Sequence, residues 1–157
     1  MTAVPDSPRL QVEVVKAVPA PVPPSFVRSV LARTASLPEV AARLPEGTSN
    51  IAVRITGDTE LRRLNKTYAG RDSVTDVLSF AGSGDHLGDL AISWATVVRQ
   101  AAEFKHAPPA ELALLCVHGM LHLMGWDHAA AAGRKEMVRL TTAALELSDV
   151  QLPAGRL

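Results

Sequence analysis

CVHGMLHLMGWDH, from Cys116 to His128, is the stretch from which we interpret the rest of the chain. His118 and His122 are four residues apart, so on a helix their side chains lie on one face, one turn apart. Gly125 follows them, and glycine ends helices readily because it adopts the left-handed backbone conformation without steric cost. The chain can then turn so that His128 faces the other two histidines. Three convergent imidazoles are typical of catalytic zinc sites, which keep the fourth coordination position open.

Histidines on the apolar face of a helix are more often hydrogen-bonded core residues than metal ligands. Here nearly every other residue from Leu112 to Met124 is apolar, which predicts a helix that is buried on most sides. Buried polar side chains need partners, and a metal ion would satisfy both histidines of this helix. The sequence therefore predicts one divalent metal ion, with zinc as the first choice, bound by His118, His122 and His128. We expect Cys116 to be a buried, inert thiol, and His86 and His106 not to be ligands.

The spacing H-x-x-x-H-x-x-G-x-x-H is also that of the metzincin peptidases. Those enzymes carry a glutamate directly after the first histidine, where it acts as general base. The corresponding residue in this chain is Gly119, which cannot accept a proton. A zinc peptidase-like hydrolase therefore stays an alternative, and it would need a carboxylate from elsewhere in the fold.

The order of apolar patterns along the chain predicts β-α-β-α-β-β-α-α-α, an α+β domain. The expected strands cover 10–18, 50–56, 77–81 and 87–93, and the last two form a hairpin. The expected helices cover 25–35, a segment that follows Asp58 as N-cap and runs through about 67, 94–105 with Ser93 as cap, a helix opened by Pro108-Pro109, and 130–147. We expect a loop or short helix over 37–47, and a close approach of backbone or substrate at Gly88-Asp89.

Three blocks of the sequence resemble the YbeY family of bacterial endoribonucleases and rRNA maturation factors. They are HGMLHLMGWDH, LNKTYAGRDSVTDVLSF from Leu64 to Phe80, and LGDLAIS from Leu87 to Ser93. The resemblance implies a small mixed β-sheet of about four strands with about five helices and a zincin-like metal helix. It also implies a zinc-dependent, single-strand-specific endoribonuclease that matures the 3′ end of 16S rRNA and serves ribosome quality control. Proteins of the 30S subunit and an assembly GTPase are the partners implied besides the rRNA precursor.

The chain departs from the family at one position of the second block. The family has arginine after the tyrosine, and that arginine is thought to serve activity, whereas this chain has Ala69 there and Arg71 two residues later. Arg71 is our candidate for the missing phosphate contact, because a guanidinium donates two parallel hydrogen bonds to phosphate. A non-catalytic ribosome-assembly factor with a structural metal stays a second alternative.

The remaining candidates are charged side chains near these motifs. The densest basic cluster consists of Arg62, Arg63, Lys66 and Arg71. Such clusters are usually solvated helix faces, but beside an RNA-cleaving site they become candidates for RNA binding. Asp127 adjoins His128 and either orients it, moves a proton or only shapes the turn. Together with His118 and Arg71 it completes the predicted catalytic set, and Asp76 and Asp89 either orient a ligand histidine or serve only turns and hydrogen bonds.

Length, composition and charge limit the kinds of protein that this sequence can encode. The chain has 157 residues, 47% of them hydrophobic and 20% charged, with a formal net charge of zero. Any RNA contact must therefore use a local basic patch. A single cysteine excludes an internal disulfide, and neither a signal peptide nor a membrane-spanning run is recognisable, so we expect a cytoplasmic protein. We expect one domain over 10–150, a flexible tail over 1–9 and a second tail over 151–157.

Overall fold

The computed structural model describes residues 9–69, 76–127 and 129–157. Within these ranges the strands are β1 (Leu10–Lys16), β2 (Ser49–Thr56), β3 (Val77–Ala81) and β4 (His86–Ser93). The helices are α1 (Pro24–Ala35), α2 (Pro38–Arg43), α3 (Asp58–Ala69), α4 (Trp94–Phe104), α5 (Pro108–Leu123) and α6 (Ala131–Leu147). The predicted α+β class is confirmed, with the short helix α2 as a sixth helix where the sequence allowed a loop or a short helix.

The four strands form one mixed sheet in the order β1-β2-β4-β3. β1 runs parallel to β2 and β2 parallel to β4, whereas β3 pairs antiparallel with β4 as the predicted hairpin. The register places Val53 opposite Leu90, and Leu90 opposite Ser79. β3 therefore forms one edge of the sheet, next to the strand that carries Leu90.

One face of this sheet is packed against helices and buried. β2 contributes Ile51, Val53 and Ile55 to it, each at most 1% exposed. Leu90 and Ile92 of β4 lie on the same face, because side chains alternate along a strand and these residues pair with the buried ones of β2. On the opposite face of β2, Asn50, Ala52 and Arg54 are not buried, whereas Thr56 at the end of the strand is. Only one sheet face therefore belongs to the main core.

Helix α5 lies in the middle of that core. It begins with Pro108 and Pro109, whose fixed φ suits the first turn of a helix. From Glu111 to Leu121 every residue except His118 is buried, as the apolar pattern predicted. Cys116 is among them, and burial raises the pKa of its thiol to about 12. The thiol therefore stays protonated, which fits an inert core residue.

The C-terminus of α5 is the helix stop that the sequence predicted at Gly125. Gly125 has φ +98°, which glycine adopts without strain. Its N–H donates to the carbonyl of His122 at 3.0 Å, and the N–H of Trp126 donates to the carbonyl of Leu121 at 3.0 Å. These two bonds form a Schellman motif, which satisfies the last carbonyls of the helix and reverses the chain.

Two predicted caps have different outcomes. Ser93 caps α4, because its hydroxyl accepts a hydrogen bond from the N–H of Thr96 at 3.3 Å. The prediction for Asp58 was wrong by one position, since Asp58 is itself the first residue of α3. Its carboxylate instead accepts hydrogen bonds from Ser93, Thr96 and Arg99 of the α4 region. In the part of the chain that the structure describes, no helix has the length and hydropathy to cross a membrane.

Candidate active site

Helix α5 places His118 and His122 one turn apart on the part of its surface that is not fully buried in the core. Both side chains are half-buried, whereas Val117, Gly119 and Leu121 between and beside them are buried. The two imidazoles therefore lie on the side of α5 that is not covered by the sheet. Neutral imidazole nitrogens at this spacing suit a divalent transition metal, so these two residues fit the metal that the sequence predicts.

The third predicted ligand, His128, lies outside the described residues, as does Arg71. Within 9–69, 76–127 and 129–157 no three metal-binding side chains converge. The tri-histidine site therefore stays a prediction, supported on the structural side by the pair on α5. The residues on either side of His128, Asp127 and Ala129, are described.

The chain before His128 follows a defined turn. Oδ1 of Asp127 accepts a hydrogen bond of 2.6 Å from the N–H of Ala129. In α6, a Cβ added at Gly133 would lie 2.3 Å from the carbonyl oxygen of Asp127, so only glycine allows this approach. The observed contact of Asp127 is a turn contact, and its catalytic role stays a prediction.

Arg43 also contacts this turn. Its Nη1 donates to the carbonyl of Met124 at 3.1 Å, and its Cζ lies 3.6 Å from the centroid of the Trp126 ring. Arg43 carries no local sequence signal for this role, since it lies 81 residues before Met124. Arg43 is the last residue of α2 and is followed by Leu44, so in the sequence it looks like a solvated charge at the end of a helix.

Gly119 contacts the sheet. A Cβ added at this position would lie 2.7 Å from Cδ2 of Leu90, which is 1% exposed. The position at which metzincins carry their general base therefore points into the core of this protein. Both the residue type and its direction disfavour peptidase chemistry of that kind.

The β3–β4 hairpin packs against the end of α5 that carries the histidines. The hydroxyl of Ser79 donates to the carbonyl of Gly119 at 3.4 Å. A Cβ at Gly88 would lie 2.4 Å from the carbonyl oxygen of Phe80 and 2.6 Å from Cδ2 of Leu123. Of the two approaches expected at Gly88, that of backbone is confirmed, and β3 is an edge strand that contacts α5 between the two histidines.

Asp76 and Asp89 bind partners other than the histidines of α5. Oδ1 of Asp76 accepts from the N–H of Val77 at 2.8 Å, and its Oδ2 accepts from Gln100 at 3.4 Å. Asp89 lies 3.0 Å from Nε2 of His86, on the sheet face opposite α5, because its neighbour Leu90 faces α5. An orienting role for Asp89 toward the histidines of α5 is therefore wrong.

The basic cluster lies on the exposed surface of α3. Arg62, Arg63 and Lys66 are all exposed. Arg63 lies 3.8 Å from Glu60, which also forms a 2.5 Å ion pair with Arg54. Arg62 and Lys66 are one turn apart and share a flank of the helix. Three of the four predicted phosphate-binding residues are thus presented to solvent by one helix.

The chain matches a known protein family over most of its length. The sequence profile of the endoribonuclease YbeY matches residues 23–148. The chain belongs to the YbeY family. Its relatives named endoribonuclease YbeY include one from Roseiflexus castenholzii, 45% identical over 130 residues, which cover 76% of this chain and 79% of the relative. Another, from Chloroflexus aurantiacus, is 43% identical over 130 residues, covering 75% of this chain and 82% of the relative.

The fold of this chain is also similar to that of a solved structure. The solution structure of TM1509 from Thermotoga maritima superposes with a TM-score of 0.60 at 20% sequence identity. The match covers 93% of this chain and 100% of the other. At this identity the likeness supports the fold alone, and it agrees with the α+β architecture described above.

Proposed function

We propose that this YbeY protein is a zinc-dependent, single-strand-specific endoribonuclease in the cytoplasm. The proposal extends to maturation of the 16S rRNA 3′ end and to ribosome quality control, with 30S subunit proteins and an assembly GTPase as partners. The observation that carries it is the pair His118 and His122 on the uncovered side of an otherwise buried helix, in a chain of the endoribonuclease YbeY family.

Each candidate residue has a defined part in this proposal. His118, His122 and His128 would hold the ion, which supplies Lewis-acid activation of water and of the phosphodiester when bound. The exposed basic side chains of α3 would attract the RNA backbone. Arg71 would neutralise charge that develops on the phosphate, in place of the family arginine whose position is Ala69. Asp127 would orient His128 or accept a proton.

Two alternatives differ from this function in testable ways. A non-catalytic assembly factor would hold its metal with a fourth protein ligand and would not cut RNA. A peptidase-like hydrolase would need a base from outside the histidine motif, because Gly119 faces Leu90. The absence of an arginine at position 69 favours the first alternative, and the family match favours the nuclease.

The decisive experiment compares cleavage of single-stranded RNA with cleavage of an unstructured peptide by zinc-loaded protein. We expect RNA cleavage by wild-type protein, loss in His118→Ala, and retention in His86→Ala, whose side chain contacts the other sheet face. Arg71→Ala should lower the rate, and Ala69→Arg in that background should restore it. Wild-type protein that holds one zinc ion and cuts neither substrate would contradict the nuclease and favour the assembly factor.

The predicted ligands also give a pH test that is independent of activity. Protonated imidazole cannot bind a metal, so zinc should leave as the pH falls below about 6.5. Metal content measured after dialysis at a series of pH values checks this. Zinc that stays bound at about pH 4 would contradict a site made of three histidines.

A further inference from the structure

Tyr68 presents an exposed aromatic ring near the end of helix α3. The chain has two tryptophans, one tyrosine and three phenylalanines, all within the residues that the structure describes, and only Tyr68 is exposed, at 69%. A single exposed apolar side chain needs no explanation by itself. This ring, however, meets the ring of Phe80 edge to face, with 5.5 Å between the centroids and 73° between the planes. An aromatic ring is thus supported from one side while most of its surface is open to solvent.

The surface beside this aromatic pair is mainly apolar. Leu64 precedes Tyr68 by one turn of α3, so the two side chains are neighbours on the helix surface. Leu64 and Phe80 line a cavity of about 280 Å³ on the sheet face opposite α5, to which Ala52 and Ala91 also contribute. A flat aromatic ligand suits such a surface, because its faces are apolar and can stack on a side-chain ring.

The charges on the two sides of the pair differ. Phe80 lies opposite Asp89 in the register of β3 and β4, so the sheet beyond it is acidic. The surface of α3 instead carries three exposed basic residues, Arg62, Arg63 and Lys66. A ligand that joins anionic groups to flat rings would therefore place its anionic groups along α3 and its rings toward Tyr68. Single-stranded RNA has this chemistry, because its bases are flat and unpaired and its backbone is anionic.

Tyr68 is also linked to the histidine helix through strand β3. Ser79 precedes Phe80 and points to the opposite face of the strand, where its hydroxyl donates to the carbonyl of Gly119 at 3.4 Å. Gly119 lies between the two histidines of α5 in the sequence. β3 is an edge strand of the sheet, so a ligand can pass around it from one face to the other. A strand of RNA that reaches the histidine pair can therefore extend to Tyr68.

We propose that Tyr68, supported by Phe80, stacks on a base of single-stranded RNA whose phosphates contact the basic residues of α3. The inference rests on the proposed function, because it takes the same RNA as ligand, but it concerns binding and needs no metal. Loss of such a stacking contact weakens binding by about 5–150-fold for each base. In a duplex the bases stack on one another, so this contact also favours single strands over duplexes.

The test measures the affinity of the full-length protein for two fluorescent strands of equal length by anisotropy. One is single-stranded RNA, and the other carries stable abasic residues throughout, so it keeps the phosphates and lacks the bases. A gel run after each titration confirms that the strands are intact. We expect wild-type protein to prefer the RNA by about 5-fold or more, and Tyr68→Ala to lose this preference by binding the RNA more weakly. Tyr68→Phe should bind both strands like the wild type.

Two further variants separate stacking from charge. Lys66→Ala should weaken the binding of both strands alike and lower the slope of log affinity against log salt concentration by about 0.7, because a phosphate contact is lost. Tyr68→Ala should leave that slope unchanged. Leu147→Ala removes another exposed apolar side chain, 47% exposed at the end of α6, and should bind both strands like the wild type.

Three results would overturn the inference. Tyr68→Ala could bind the RNA as tightly as the wild type, it could lose affinity for both strands alike, or Tyr68→Phe could be as weak as Tyr68→Ala, which would assign the contact to the hydroxyl group. A failure of the proposed function has a different signature. RNA that binds through Tyr68 and stays uncut by the zinc-loaded protein would contradict the nuclease and support this binding surface.

Discussion

The Nε of Arg156 donates a hydrogen bond of 3.0 Å to Oε1 of Glu111, 45 residues earlier in the chain. A second nitrogen of the same guanidinium pairs with Oε2, and Nε2 of His106 lies 2.7 Å from Oε1. The Glu111 side chain is fully buried and that of Arg156 is 14% exposed. Arg156 also lies over the ring of Phe104, 4.2 Å from its centroid. The first turn of the histidine helix is thus joined to residues 151–157, for which the sequence predicted a tail; the domain bounds themselves stay a prediction.

Removing the arginine of this pair should destabilise the protein strongly. Arg156→Ala leaves the carboxylate of Glu111 buried beside a histidine, and breaking a buried ion pair from one side costs about 3–5 kcal/mol. We expect a loss of that size in the free energy of unfolding, measured with urea. The double variant Glu111→Gln/Arg156→Met should recover part of it, because no carboxylate is then left unpaired. A single variant as stable as the wild type would show that this pair does not hold the end of the chain.

The carboxylate of Asp58 should make stability depend on pH in the acid range. The hydroxyl of Ser93, then Arg99 and Thr96, donate to it and lower its pKa from 3.8 to about 2, against the opposing effect of burial. Because the folded pKa lies below the unfolded one, this stabilisation is complete above about pH 4 and is lost as the pH falls through about 2. Asp58 is 30% exposed, so we expect about 1–2 kcal/mol.

Urea unfolding of wild type and Asp58→Asn at a series of pH values measures this contribution. The difference in free energy of unfolding between the two proteins should be largest near neutral pH and shrink between about pH 4 and 2. Asp85→Asn, an exposed aspartate in the β3–β4 turn, is the control. A difference that does not change over this range would mean that the hydrogen bonds of Asp58 do not favour its charged form.

A glycine at the end of α4 should stabilise the fold. Lys105 has φ 60° and ψ 45°, the left-handed conformation. Its N–H donates to the carbonyl of Ala102 at 3.3 Å, and that of His106 donates to Ala101 at 3.0 Å. This is the Schellman pattern that Gly125 makes at the end of α5, but here with a side chain that costs about 1–2 kcal/mol in this conformation.

We therefore expect Lys105→Gly to raise the free energy of unfolding by about 0.5–1 kcal/mol, since the flexibility of glycine in the unfolded chain offsets part of the gain. Lys105→Ala keeps the Cβ and is the control, for which we expect no gain. If both substitutions shift the urea midpoint equally, loss of the lysine charge rather than backbone strain would explain the change.

Local patterns were enough to predict the elements that carry the site. The apolar run around His118 and His122, the glycine that ends it and the serine that caps α4 each act within a few residues, so their outcome follows from the sequence. The face on which Asp89 lies was not predictable in this way. It depends on strand register, and a shift of one residue would move Asp89 to the other face.

The features that the sequence did not predict depend on contacts between segments that lie far apart in the chain. Arg43 reaches Met124 and Arg156 reaches Glu111 because α2 and the last residues of the chain pack beside the two ends of α5. Nothing near Arg43 or Arg156 in the sequence indicates such a partner, since each looks like a solvated charge. Both arginines could be identified only after the helices had been placed relative to one another.

Two features of position 119 disfavour peptidase chemistry: glycine carries no carboxylate, and a side chain at this position would point toward Leu90 in the core. A substitution separates these two reasons. Gly119→Glu restores the metzincin pattern in sequence, yet its Cβ would lie 2.7 Å from Leu90 in the core. Overpacking costs about 1–3 kcal/mol, and an unpaired buried carboxylate adds to that. We expect the variant to lose more than about 3 kcal/mol in the free energy of unfolding and to gain no cleavage of a peptide substrate.

The double variant Gly119→Glu/Leu90→Ala checks the cause of that loss. Truncating Leu90 opens space for the new side chain, so the second substitution should cost less in the Gly119→Glu background than in the wild type, a difference that a double-mutant cycle measures. A stable Gly119→Glu protein that cleaves peptide would show that position 119 does reach the metal centre. The lack of a general base would then be the only obstacle to peptidase activity at this site. A peptidase-like hydrolase would again be an alternative to the nuclease.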